Sequence, residues 1–137
     1  MTRPSSVPNG TLVLDCEGLA KAAARDRQLM KWLAWAHAKN MRVITTSATL
    51  VEVIHPRVNR AALEWTLSRL TVEPIAEVHA RQAAALLMGA SLHGHRHAID
   101  AMVAAVALSA PAPITILTSD PDDLTVLCGD EATVIKV

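Results

Sequence analysis

Short apolar runs alternate along the chain with longer amphipathic or alanine-rich segments. The runs are rich in Val, Ile, Leu and Thr and are bounded by turn residues or charges, which is typical of strands. The predicted strands are TLVLD (11–15), RVITT (42–46), TVEPI (71–75), ITILT (114–118) and TVIKV (133–137). Pro74 favours a sheet edge for the third and weakest run, because proline cannot donate a ladder hydrogen bond.

Helical patterns fill the intervals between these strands. The predicted helices cover residues 18–40, 47–55, 58–70, 76–90 and 97–110, and SDPDDL opens a short helix after the fourth strand. Strands that alternate with helices are typical of a parallel sheet covered on both faces. We therefore predict an α/β fold, a three-layer α/β/α sandwich with a central parallel sheet of four to five strands.

Length and composition indicate a single domain. The 137 residues are 51% hydrophobic, which is enough for one core. We expect one domain over residues 11–137, preceded by a flexible N-terminal segment over residues 1–10. The polar start MTRPSSVPNG lacks the apolar centre of a signal peptide, and charges interrupt every apolar stretch before it reaches membrane-spanning length. The predicted location is therefore the cytoplasm, with no membrane association.

Charge and aromatic content narrow the classes of partner. The formal net charge is zero, which disfavours a strongly basic nucleic-acid binder, although basic residues concentrate in 18–61 and acidic residues in 111–137. Phe and Tyr are absent and only three Trp are present, which disfavours an aromatic platform for stacking bases. Cys16 and Cys128 form no recognised motif, so we interpret both as small hydrophobic residues.

Four acidic residues are predicted to meet at one edge of the sheet. Ligands of parallel α/β sheets bind outside the carboxyl ends of the strands. Asp15 ends the first strand and Asp120 follows the fourth, while Glu52 and Asp100 lie in helices whose first turns reach the same edge. Each acid alone could serve as a helix cap or dipole partner. However, Glu52 and Asp100 interrupt otherwise apolar helices, where a charge is costly unless it is exposed or paired.

Converging carboxylates indicate a divalent cation, because like charges at close range otherwise force some of the group to protonate. Mg²⁺ and Mn²⁺ prefer oxygen ligands and can activate water for phosphodiester hydrolysis. The sequence therefore predicts a metal-dependent nuclease. The residues predicted as both metal ligands and catalytic groups are Asp15, Glu52, Asp100 and Asp120. In contrast, Asp122 and Asp123 are accounted for by the dipole of the helix that they open.

The chain resembles the PIN-domain ribonucleases, and most closely the VapC-like toxins of toxin–antitoxin pairs. The resemblance runs from about Leu12 to Val137 and rests on VLDCEGL, TTSATLVEV, HAIDAMVAAVAL and ILTSDPDDL, in family order and spacing. It implies that the four acids are the family's metal-binding quartet and that Thr118 or Ser119 is the supporting hydroxyl. It also implies Mg²⁺ or Mn²⁺ dependence, an RNA substrate, a homodimer and a cognate antitoxin. Cys16 departs from the pattern, since the family usually has Ser or Thr there.

Two further groups of residues carry weaker signals. Candidate phosphate contacts are Arg25, Arg57, Arg60 and Arg96, although a solvated surface explains any one of them alone. The run HGHRH places His93, His95 and His97 at alternate positions of a glycine-containing segment, which is more typical of exposed side chains than of a metal site.

Two alternative functions remain open from the sequence. One is a non-catalytic module that keeps the PIN fold for binding RNA or protein. The other is a haloacid-dehalogenase-like phosphatase, because DCEGL superficially resembles the DxDG loop of that class. Glu17 replaces the second Asp of that loop, and the chain has little room for a cap domain.

Overall fold

The computed structural model describes residues 7–137 and contains a five-stranded sheet. The strands are β1 (Thr11–Leu14), β2 (Arg42–Thr46), β3 (Thr71–Glu73), β4 (Ile114–Thr118) and β5 (Thr133–Lys136). The helices are α1 (Cys16–Ala23), α2 (Arg27–Ala38), α3 (Ser47–Val53), α4 (Arg60–Leu67), α5 (Glu77–Gly89), α6 (Gly94–Leu108) and α7 (Pro121–Cys128). The predicted N-terminal segment falls mostly on residues 1–6, which lie outside the described residues.

The sheet is parallel throughout, with strand order β3-β2-β1-β4-β5. β3 lies at an edge, as Pro74 predicted. The chain builds outward from β1 through β2 to β3 and then returns to add β4 and β5 on the other side of β1. The strand order therefore reverses between β1 and β4, and this is where open α/β sheets usually bind their ligands.

Two apolar clusters cover the two faces of the sheet, so the predicted three-layer sandwich is confirmed. Leu12 and Leu14 of β1 face a cluster with side chains of α1, α2 and α4, whereas Val13 faces a cluster with α5, α6 and α7. This alternation follows from the two-residue repeat of a strand. Residues Ala101 and Val103–Ala107 of α6 are buried, as its apolar sequence predicted. None of the helices within residues 7–137 is long and apolar enough to span a membrane.

Two predicted helix boundaries were wrong. The single helix predicted over 18–40 is divided into α1 and α2 at Arg25, which adopts a positive φ of 57°. Asp26 then caps α2, because its side chain accepts a hydrogen bond of 3.1 Å from the Leu29 amide. The loop predicted before residue 97 is also shorter than expected, since α6 already begins at Gly94 and contains a kink at His97 with φ −115° and ψ 16°.

Gly18 allows α1 to begin directly against the end of β4. A Cβ atom at this position would lie 2.9 Å from the Leu117 carbonyl oxygen, closer than real Cβ atoms approach backbone. The Asp15 amide donates a hydrogen bond of 3.0 Å to the same oxygen. The close approach therefore joins the ends of β1 and β4, which carry Asp15 and Thr118.

We predict that Gly18→Ala destabilises the protein despite the higher helix propensity of alanine. The added methyl group must displace backbone, and overpacking of this kind costs about 1–3 kcal/mol. Gly89→Ala is the matched control, because a Cβ atom added at Gly89 would have no described atom within 4 Å. In urea unfolding, Gly18→Ala should be less stable than wild type, and Gly89→Ala should be as stable as wild type or more stable. Equal stability of the two variants would contradict the proposed close contact.

Candidate metal centre

Asp15 lies in a protected position between the ends of β1 and β4. The residue is 7% exposed, and its Oδ2 accepts a hydrogen bond of 3.0 Å from the Thr118 hydroxyl. Although Asp15 occupies the N-cap position of α1, its side chain accepts no capping hydrogen bond from the described residues. The other oxygen, Oδ1, is buried and has no hydrogen-bond partner within residues 7–137. Such an orphan acceptor normally has a partner in a functional protein.

The other predicted acids reach the same edge from three separate helices. Glu52 is exposed near the end of α3, and Asp100 is half-buried in α6. Asp120 is exposed at the N-cap position of α7, where its side chain accepts no capping hydrogen bond from the described part of the chain. The capping explanation considered for Asp15 and Asp120 is therefore not realised in the structure.

The pKa shifts show that these carboxylates are close enough to repel one another. Burial raises the pKa of Asp100 to about 6, and the charges of Asp15, Asp123, Glu52 and Asp120 add to the rise. Burial also raises the pKa of Glu52, with a further contribution from Asp15. The other three acids of the quartet therefore lie near enough to Asp100 for their charges to act on it.

The pKa of Asp15 is also raised, mainly by burial and to a smaller extent by the charge of Asp120. The Cys16 amide and the Thr118 hydroxyl offset part of this rise. A buried oxygen without a partner in the described chain, surrounded by further carboxylates, fits a hard divalent cation with oxygen ligands. The donor set of the quartet therefore suits the predicted metal.

The two candidate hydroxyl groups occupy different positions. Thr118 is 2% exposed, and besides its bond to Asp15 its Oγ1 accepts a hydrogen bond of 3.2 Å from the Asp120 amide. Thr118 thus connects two members of the quartet. Ser119 is exposed beside them.

Cys16, the departure from the family pattern, adds no charge to the site. Burial raises the pKa of the thiol to about 11, helped by the charges of Glu52, Asp15 and Glu17. The thiol therefore stays protonated near neutral pH and is a poor nucleophile.

Sequence reasoning missed two residues at this edge, His97 and Asp123. The His97 Nδ1 atom lies 3.0 Å from Asp123 Oδ2, and the two side chains are 13% and 31% exposed. Together with Asp100 they form a group whose potential ligand atoms lie within 4.8 Å of one another. His93 and His95 are exposed, as predicted, but His97 is not. Helical spacing in the sequence could have indicated both residues, because His97 precedes Asp100 by three residues and Asp123 follows Asp120 by three.

The four candidate arginines are distributed over the surface. Arg96 lies in the first turn of α6, next to His97 in the chain and thus near the acidic edge. Arg57 and Arg60 are exposed between α3 and the start of α4, and Arg60 pairs with Glu64 at 2.9 Å. Arg25 follows the C-terminal end of α1, whereas Asp15 precedes its N-terminal end. The structure therefore does not place Arg25 beside the quartet.

The comparisons with known proteins show the fold. No protein-family model matches the sequence, and no curated protein matches it. A chain in the crystal structure of VapBC2 from Rickettsia felis, bound to a DNA fragment from their promoter, superposes with a TM-score of 0.70. That chain is 17% identical, and the match covers 93% of this chain and 98% of that one. The similarity confirms the PIN-like fold class and agrees with the resemblance seen in the sequence.

We predict that the metal-free protein loses stability as the pH rises from about 4 to about 6. Asp100 has a pKa of about 6 in the folded chain against an ordinary 3.8. Between these values the folded state retains a proton that the unfolded chain has released, so deprotonation favours unfolding. Asp100→Asn should therefore unfold at higher urea concentration than wild type at pH 7 in EDTA. The expected gain is on the order of 1–2 kcal/mol after allowance for partial exposure.

The test compares the free energy of unfolding of Asp100→Asn with that of wild type, once at pH 4.5 and once at pH 7. The difference between the two proteins should be small at pH 4.5 and larger at pH 7. Asp130→Asn removes an exposed acid from the turn after α7 and controls for net charge. A variant difference that does not change with pH would contradict the proposed repulsion around Asp100.

Proposed function

We propose that the protein is a metal-dependent endoribonuclease that hydrolyses RNA phosphodiester bonds, and that it is the toxin of a toxin–antitoxin pair. The observation that carries this proposal is the buried Oδ1 of Asp15, which has no partner within residues 7–137, lies where the strand order reverses and is surrounded by other carboxylates. The PIN-like fold and the sequence motifs support the assignment to nucleases. Fold alone would not suffice, because one fold can host several functions.

Asp15, Glu52, Asp100 and Asp120 would hold Mg²⁺ or Mn²⁺ through their carboxylate oxygens. When bound, the cation would lower the pKa of a water molecule and stabilise the oxygen that leaves the phosphorus. Such an ion also offsets the repulsion that raises the pKa of Asp100, so the ligands remain ionised at neutral pH.

The chain's own residues would position the reactants and move a proton. The Thr118 hydroxyl fixes the orientation of Asp15 through its hydrogen bond. Glu52 is exposed at this edge, where its carboxylate can accept a proton from the attacking water. Arg96 and Ser119 lie at the same edge and can contact RNA phosphates.

We expect the purified protein, separated from any antitoxin, to cut RNA in Mg²⁺ or Mn²⁺ and to lose this activity in EDTA. Asp15→Asn and Asp100→Asn each remove a proposed ligand charge and should lower the cleavage rate by at least 100-fold, or about 2.7 kcal/mol in transition-state stabilisation. Gel analysis of a labelled single-stranded RNA pool measures the rate.

Asp130→Asn is the control and should cut RNA at the wild-type rate. A phosphate monoester should remain intact with every variant, which separates a nuclease from a phosphatase. Undiminished cleavage by Asp15→Asn would refute the proposed site, whereas RNA binding without cleavage by wild type would favour the non-catalytic module.

A groove on the α1/α2/α4 side suits the proposed antitoxin. It has a volume of about 640 Å³ and is lined by apolar side chains, including Met30, Leu33 and Leu70. Trp65 of α4 forms part of its wall and is 48% exposed. The guanidinium groups of Arg25 and Arg69 lie 4.8 and 4.6 Å from the centre of its ring. We propose that an antitoxin segment with apolar and acidic side chains binds here.

Trp65→Ala should weaken binding of the cognate antitoxin by at least tenfold, because a partly exposed Trp flanked by cations is a typical binding hot spot. Isothermal titration calorimetry measures the affinity, and the amount of antitoxin needed to inhibit RNA cleavage provides a second measurement. Trp35→Ala is the matched control, since Trp35 is 38% exposed but lies outside this groove. Equal losses of antitoxin affinity in Trp65→Ala and Trp35→Ala would indicate that the antitoxin binds outside this groove.

The proposal also includes a homodimer. Val51 of α3, and Val78 and Met88 of α5, are large apolar side chains that remain exposed in the single chain. They provide apolar surface that a second copy could cover.

A further inference from the structure

One side of α2 carries basic and aromatic residues that are largely exposed. Leu29 and Ala36 are buried and mark the inward side of this helix. Residues three and four positions apart share one side of a helix. By this spacing another side of α2, here called the α2 face, consists of Gln28, Lys31, Trp32, Trp35 and Lys39. The first four of these line a shallow groove of about 480 Å³, which is separate from the groove around Trp65.

Trp32 holds Trp35 in place at the centre of the α2 face. The two ring centres are 5.3 Å apart and the ring planes meet at 88°, which is an edge-to-face contact. Trp35 is 38% exposed, and no cation within residues 7–137 stacks on its ring, whereas two guanidinium groups already contact the ring of Trp65. An edge contact occupies at most one face of an indole. Ring surface therefore remains available for a planar ligand.

The cations of the α2 face have no acidic partner. Helix α2 contains no acidic residue, and neither Lys31 nor Lys39 forms an ion pair within residues 7–137. Arg27, one turn before Lys31, is also exposed and has no ion pair in the described part of the chain. The α2 face is therefore positively charged, although the whole chain has no net charge.

Charge and ring chemistry together favour one kind of occupant. A second copy of the chain is disfavoured, because a two-fold contact through this face would bring the cations against their own copies. An acidic peptide would match the lysines without using the indole surface. Single-stranded RNA matches both, since its phosphates attract cations and its unpaired bases stack on aromatic side chains. The chain has only three Trp, yet two of them lie side by side here.

We propose that the α2 face binds single-stranded RNA, with a base stacked on Trp35 and the flanking phosphates held by Lys31 and Lys39. Lys39 caps the end of α2 that leads into the start of β2, so this end of the face lies toward the amino ends of the strands, away from the acidic edge. The inference rests on the proposed function, because the bound strand is the RNA substrate. The α2 face holds one stretch of the RNA while the acidic edge cuts another.

Binding can be measured without cleavage in EDTA, by the fluorescence anisotropy of a labelled oligouridine of about 20 nucleotides. This probe exceeds the roughly 4–16 nucleotides that one single-strand-binding domain covers. Trp35→Ala and Trp35→Leu should bind it at least fivefold more weakly, because both remove the stacking surface. Trp35→Phe keeps an aromatic ring and should retain most of the affinity. Inorganic polyphosphate, which has the charges without the bases, should bind Trp35→Ala as well as wild type.

Lys31→Gln and Lys39→Gln should each weaken the salt dependence of binding. A single-strand phosphate contact contributes about 0.7 to the slope of log affinity against log salt concentration, so each variant should lower that slope by about 0.7. Arg81→Gln is the matched control, since it removes one exposed positive charge from α5, on the opposite face of the sheet. Its slope should equal that of wild type. Circular dichroism in EDTA verifies that each variant is folded.

Three results would overturn the RNA site on α2. The first is equal RNA affinity of Trp35→Ala and wild type, and the second is an equal change of slope in Lys31→Gln and Arg81→Gln. The third is an oligoglutamate peptide that binds as tightly as the RNA, which would indicate an acidic protein partner. Antitoxin affinity, measured without RNA, should stay at the wild-type value in Trp35→Ala, because the α2 face is separate from the Trp65 groove.

Cleavage in Mn²⁺, measured on the same preparations, separates this inference from the proposed function. Binding of RNA that depends on Trp35, without cleavage by wild type, would refute the nuclease and leave the α2 site standing. Cleavage that depends on Asp15, with undiminished RNA binding by Trp35→Ala, would refute the α2 site and leave the nuclease standing. If both proposals hold, Trp35→Ala should raise the KM for a long RNA more than it lowers kcat.

Discussion

Repulsion among carboxylates at the carboxyl edge of the sheet is the constraint on which the rest of the structure depends. A free chain would separate these charges, yet Asp15, Glu52, Asp100 and Asp120 come from four different segments and lie near enough for the other three charges to act on Asp100. The rise in the pKa of Asp100 to about 6, caused by burial and by these neighbouring charges, measures how unfavourable ionisation is there without a counterion. Such an arrangement persists only where surrounding structure supplies the stability, and functional sites commonly show this trade-off.

The surrounding structure supplies that stability through burial on both faces of the sheet. α6 is buried along most of its length after Asp100, so the position of this carboxylate is set by apolar packing rather than by its own interactions. On the opposite face, the close contact at Gly18 and the hydrogen bond between Asp15 and Thr118 join β1 to β4. Asp15 and Asp100 are therefore held by packed surroundings, whereas Glu52 and Asp120 are exposed.

Much of the fold could be predicted because its determinants are local. β2 and β4 have the predicted bounds, since runs such as RVITT and ITILT carry a strand pattern on their own. The expectation that the four acids converge came from the rule that parallel sheets bind ligands at the carboxyl ends of their strands. The break at Arg25 was missed because the residues around it have good helix propensity, and only Asp26 signalled a new start. The pairing of His97 with Asp123 depends on a kink and on how two helices face each other, which no local pattern encodes.

The groove around Trp65 lies at the other end of the strands from the acidic edge, since its lining includes residues at the starts of β2 and β3. The groove lining also includes Arg25, Arg42 and Arg69, so in a chain of zero net charge the acidic edge and these basic residues lie at opposite ends of the strands. Near a polyanion, the metal-free molecule should orient so that its Trp65 end faces the polyanion. Cations bound at the acidic edge would weaken this preference, so the orientation of the molecule towards a charged partner would depend on whether that edge is occupied.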